Sequence, residues 1–136
     1  MSVDFRDNRE EVKEKLRQCG VAWLYEASGE LSSQVMRNQR VRTGRTKSSW
    51  RNIVDETKME AYVASDAMNA VYEEFGTGEY ALGGDGRKGG WWYRDERGKY
   101  HFTKGKRPQR PLYHAYIMLK ERIIARAKGI FREKMQ

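Results

Sequence analysis

The chain has 136 residues, with 27 lysines and arginines against 19 aspartates and glutamates and a formal net charge of +8. That length suits one domain, and 4 Trp, 8 Tyr and 4 Phe supply enough large side chains for a core, which argues against wholesale disorder. No apolar run nears the roughly 20 residues of a membrane helix, the first residues lack the apolar stretch of a signal peptide, and a lone Cys19 excludes an internal disulfide or a cysteine-based metal site. The expectation is a basic, soluble, intracellular single domain with no membrane partner.

Val12, Leu16, Cys19, Trp23, Ala27, Leu31 and Val35 recur at helical steps, which predicts a long first helix with one apolar stripe. Asp7 or Asn8 caps its start, with Glu10 or Glu11 in capping-box position. Gly20 and Gly29 mark places for a bend or break. The helix should end between Arg37 and Arg40, ahead of the turn-like Arg42-Thr43-Gly44. Past Gly44 the period shortens, and Ser49 to Thr57 and Lys58 to Ser65 read as a hairpin turning near Glu56 to Lys58. Ser65 or Asp66 then caps a short helix, Ala67 to Glu74, which Gly76 ends. Seven glycines between positions 76 and 90 predict a flexible loop. A second hairpin follows, Trp91 to Arg94 and Lys99 to Thr103, with Trp91, Tyr93, Tyr100 and Phe102 alternating along it. Trp91 and Trp92 point to opposite faces, one toward the core and the other toward an interface. Pro108 and Pro111 stiffen the approach to a last helix striped by Leu112, Tyr116, Leu119, Ile123, Ala127 and Ile130. The expected fold is α+β: a long N-terminal helix, a small antiparallel β-sheet with a short helix and a glycine-rich loop, and a long C-terminal helix.

Chemistry for an enzyme is not indicated. His101 and His114 are the only histidines, and no His, Cys, Asp or Glu group has metal-ligand spacing. Gly83 to Gly90 lacks the Gly-Lys-Ser/Thr ending of a phosphate loop and precedes a strand rather than a helix. No catalytic residue, metal or cofactor is expected. The charges, however, come in order: −2 over residues 1–36, +6 over 37–51, −6 over 52–80, +6 over 81–111 and +4 over 112–136. Such blocks are either solvated faces or a polarised surface able to meet unlike surfaces, its own copies included. Arg87, Lys88, Trp91, Trp92, Tyr93, Arg94, Lys99, Tyr100, Phe102 and Lys104 interleave cations with aromatics. This suits stacking on bases beside phosphates, or an amphipathic hairpin, and the hairpin is favoured.

Four segments together resemble the tail-completion proteins of long-tailed bacteriophages, also called neck, head–tail-joining or minor tail proteins. Thr43-Gly44-Arg45 with Ser48 or Ser49 is similar to that family's Thr-Gly-x-Leu-x-x-Ser stretch, and Val71 to Gly78 resembles its Glu-Phe-Gly-Thr-Gly signature in shortened form. Gly86 to Tyr93 and Gly98 to Gly105 are similar to its glycine-arginine-lysine loop and Trp-containing hairpin, and Pro108-Gln109-Arg110-Pro111-Leu112 to its Pro-x-x-Pro-Phe/Leu element. Where members commonly show Ala-Pro-Val-Asp, this chain has Gln39-Arg40-Val41-Arg42, and the usual Leu after Thr-Gly-x is Thr46.

The resemblance implies a structural virion protein at the head–tail junction, made in the host cytoplasm. It would assemble as a ring that joins the tail to the capsid connector and lets double-stranded DNA pass unread. Its partners would be its own copies, the connector or head-completion protein, and the tail tube or terminator. Arg42, Arg45, Glu73, Glu74 and Trp92 are then expected at subunit interfaces, the two glutamates facing a basic block of the next copy. Arg87, Lys88, Lys104, Lys106 and Arg107 are expected to contact either a partner or DNA in the channel. Thr43, Gly44, Phe75, Gly76, Thr77, Gly78, Pro108 and Pro111 are expected to be structural, with positive φ at Gly76 and Gly78 and Phe75 anchored in the core. The alternative is a small DNA-binding protein that uses the same aromatic hairpin.

Overall fold

In the computed structural model, which describes residues 7–40 and 44–135, the first apolar stripe folds into one unbroken helix, α1 (Arg9–Asn38). No capping box forms: Asn8 is the N-cap without a side-chain bond, and Asp7 Oδ1 takes the Arg9 N–H at 3.1 Å. Neither Gly20 nor Gly29 breaks the helix. The missing side chain of Gly20 leaves room for the methyl group of Met59, from a neighbouring turn.

A short helix, α2 (Arg45–Ser48), leads into a hairpin of β1 (Trp50–Asp55) and β2 (Glu60–Ser65), paired antiparallel with Trp50 opposite Ser65 and Asp55 opposite Glu60. The hairpin lies on α1, where Asn52 donates to Ser28 Oγ at 3.1 Å. Ser65 Oγ accepts the Ala67 N–H just ahead of α3 (Met68–Phe75). A single 3-10 turn, Gly78–Tyr80, follows. The second hairpin is β3 (Trp91–Arg94) with β4 (Tyr100–Thr103), and α4 (Pro111–Lys134) closes the chain. The α+β class stands, and its sheet portion divides into two separate two-stranded hairpins.

The core forms where α1, β1, α3 and α4 meet. Val35, Trp50, Ala70 and Ala115 are buried there, bordered by Leu31, Met36, Val63, Ala67 and Leu112. The Trp50 indole N–H donates to buried Gln39 Oε1 at 3.0 Å, so its polar edge is satisfied. Along the rest of α1 the partner is α4, running antiparallel. Asn38 donates to the Pro111 carbonyl, Trp23 Nε1 to the Ile123 carbonyl, and Arg126 pairs with Glu26 at 3.0 Å. Val12 and Leu16, though on the stripe, are exposed.

Candidate interaction surface

The Glu-Phe-Gly-Thr-Gly stretch shapes the site. At the end of α3 the chain turns sharply: Gly76 has φ +76° and Gly78 φ +61°, both as expected. A Cβ on Gly76 would sit 2.9 Å from the Lys106 and Tyr80 carbonyl oxygens and from Pro108 Cδ, so only glycine fits. The Thr77 and Glu79 N–H groups donate to the carbonyls of Lys106 and Lys104, both at 2.9 Å, and Thr77 Oγ1 accepts the Lys106 N–H at 2.8 Å. The glycine-rich segment, expected to be a flexible loop, is thus bonded along its first part to the segment that follows the second hairpin. Farther on, Glu79 Oε1 accepts the Gly89 N–H at 3.3 Å.

Glu73 and Glu74 are not available to another subunit. They are 7% and 6% exposed. Glu74 accepts the Leu112 N–H at 2.9 Å and the Tyr113 N–H at 3.1 Å, so its carboxylate satisfies two free donors at the start of α4, where the helix dipole favours an anion. Arg110, the residue before that helix, has φ +54° and gives no side-chain cap. Glu73 pairs with Lys106, and its carbonyl receives the Gln109 and Arg110 N–H groups. Both acids hold the approach to α4, which corrects their assignment to a subunit interface. Phe75 is corrected too. It is 53% exposed, and Val71, Tyr72 and Leu82 are exposed nearby. Among the proline positions, Pro111 is buried at the first turn of α4 and Pro108 is half-buried.

The second hairpin is two-faced. Trp91 and Tyr93 share a face with His101 and Thr103, while Trp92 and Phe102, opposite one another, share the other with Arg94 and Tyr100. The first face is the more covered. Trp91 packs against Gly78, and His101 Nε2 lies 2.7 Å from Asp95 Oδ2 with its ring stacked on Tyr93. His101, then the Lys99 N–H, hold the Asp95 carboxyl below its ordinary range. The second face is open: Trp92 is 69% exposed.

Four arginines of the basic stretch lie over aromatic rings. Arg87 sits 5.5 Å from the Trp91 centroid, Arg94 5.9 Å from Tyr100, Arg107 5.0 Å from Tyr80 and Arg110 3.8 Å from Tyr113. Each such contact is worth about 0.5–1 kcal/mol at an exposed site, and it fixes the guanidinium without neutralising it. Lys88 and Lys104 are exposed, as is Arg45, the first residue of α2; Gly44, with φ +80°, precedes it. Arg42 and Thr43 lie outside the described residues. Sequence reasoning missed the outer face of the first hairpin, where Ile53 and Tyr62 are exposed opposite each other. Strand alternation was the signal that placed them on the side away from α1.

Among the described residues, no group of three or more His, Cys, Asp or Glu is placed to hold a metal ion, and no helix is long and apolar enough to cross a membrane. Compared with protein-family models, curated proteins and solved structures, the chain gives no match in any of the three.

Proposed function

We propose that this chain is a structural joining protein of a phage head–tail junction, acting by docking on its own copies and on the connector and tail proteins, with duplex DNA passing unread through the assembly. One observation carries the reading. Val71 to Gly78, which resembles part of the tail-completion family, interlocks with two later segments that also resemble it, Gly98 to Gly105 and Pro108 to Leu112. Gly76 and Gly78 fit against Lys104, Gly105 and Lys106, and Glu74 binds the start of the helix that Pro111 opens. The exposure of Tyr62, Phe75, Trp92, Phe102, Ile117 and Met118 further suits a chain that completes its burial on partners. Deleting the gene from its parent phage should leave DNA-filled heads and unattached tails. Normal virions would overturn the proposal.

A second reading is a small DNA-binding protein. It is favoured by Arg94, held over Tyr100 on the same hairpin face as the exposed Trp92 and Phe102, an arrangement that suits stacking with phosphate contacts alongside.

A further inference from the structure

This chain presents two separate exposed hairpin faces that differ in charge. The outer face of the first hairpin centres on Ile53 and Tyr62, 49% and 53% exposed, with Asp55, Glu56 and Glu60 around its turn end. The open face of the second centres on Trp92 and Phe102, whose ring centroids are 5.5 Å apart, with Arg94 on the same face and Lys104 just past its end. Arg51, on the same strand face and paired with Asp66, tempers the first face together with Lys58 and with Arg17 beside Glu56, and Asp95 and Glu96 temper the second. Residues 53–62 sum to −2 and residues 91–104 to +2. The Asp95 charge is also taken up by His101 and by the Arg97 and Lys99 N–H groups.

The two faces lie apart within one copy. Met59, at the tip of the first hairpin, packs on Gly20 of α1. A cleft of about 300 Å³ lined by Gln39, Arg40, Tyr93 and Arg94 places the second hairpin beside the far end of that helix. At 1.5 Å per residue the helix between those levels is about 30 Å long, and the centre of the first face lies about 16 Å along it from that far end, since Asn52 beside Ile53 bonds Ser28.

We infer that the acidic face of the first hairpin in one copy docks on the basic aromatic face of the second hairpin in the next. The inference rests on the joining reading only for its expectation that copies assemble, and it names the contact. Apolar centres would be buried against each other, and the opposed rims would set orientation and exclude a like-on-like pairing. Because the two faces differ, every copy added leaves one of each free, and the contact repeats until rotation closes a ring.

Charge reversal tests this directly. Glu56→Lys/Glu60→Lys and Arg94→Glu/Lys104→Glu all lie on exposed side chains, and circular dichroism would verify the fold. By sedimentation velocity, the unaltered chain should assemble as concentration rises, and each double variant should assemble at least tenfold more weakly. An equimolar mixture should recover assembly, because each altered face then meets its altered complement. As a second measurement, Tyr62→Cys and Phe102→Cys variants should form a disulfide with each other when mixed under oxidising conditions, in preference to pairing with themselves; Cys19 is buried. Assembly that survives both reversals, a mixture that does not recover, or an unaltered chain that stays monomeric would each overturn the inference. The joining role is judged separately, by the heads and tails of the deletion phage.

Discussion

Glu74 shows how one side chain decides where a helix starts. The segment before α4 offers no capping serine, threonine, aspartate or asparagine, and Arg110 stands in left-handed backbone at the N-cap. The acceptor comes instead from α3, more than thirty residues earlier, and binds two α4 amides from a buried position. Removing it strands both donors away from water, so Glu74→Ala should cost about 2 kcal/mol, within the range for lost caps and unsatisfied buried groups. Glu74→Gln keeps one acceptor oxygen but turns an amide toward the second donor, and should cost about 1 kcal/mol. Urea denaturation with unchanged m measures both. An alanine variant within 0.5 kcal/mol of the parent would show that water or another group caps α4.

At the scale of elements, periodicity made the long helices legible because each buries a stripe: Cys19 and Val35 on α1, Leu119 and Ile130 on α4 are buried as their spacing requires. It failed on α3 for a physical reason. Phe75, expected in the core, is exposed together with Val71 four residues earlier, and the buried positions are Ala70, Glu73 and Glu74. The acids face inward because α4 and Lys106 supply their partners, and no local pattern encodes a partner so distant in sequence. The second hairpin misled in another way. Its aromatics fall on both faces, and neither strand packs broadly on a helix, so alternation gave no inside or outside. A lone two-stranded hairpin is marginal in water, and this one is held at its base by Gly78, Glu79 and Lys104. The two tryptophans should therefore differ sharply. Trp50→Ala, at 7% exposure in the core, should cost about 3–5 kcal/mol. Trp92→Ala should change global stability by less than about 0.5 kcal/mol, as expected for an exposed surface substitution. Thermal unfolding of the two variants would measure the contrast, and equal losses would refute the division between core and arm.

For the whole molecule, alternating charge blocks were visible in the sequence, but which charges remain outward was not. Two members of the acidic block are used internally, Glu73 on Lys106 and Glu74 on α4, and Asp66 pairs with Arg51 at the surface. The arginines of the second positive block are largely held over rings instead, which preserves their charge. The outward field is thus more positive than the alternation suggests, and it has a measurable consequence for duplex DNA. The free chain should bind two unrelated duplexes of equal length with the same affinity, since phosphate contacts position a protein without reading bases. The logarithm of the binding constant should fall linearly with that of salt, by about 0.9 per phosphate neutralised. Arg87→Gln/Lys88→Gln should flatten that slope by about 1 to 2 if both side chains reach phosphates. A tenfold preference for one duplex would point to base readout and sink the idea of a channel that passes DNA unread. Nanomolar binding by the monomer at physiological salt would favour the DNA-binding reading over the joining one, because a ring lumen needs only weak contacts repeated around its circumference.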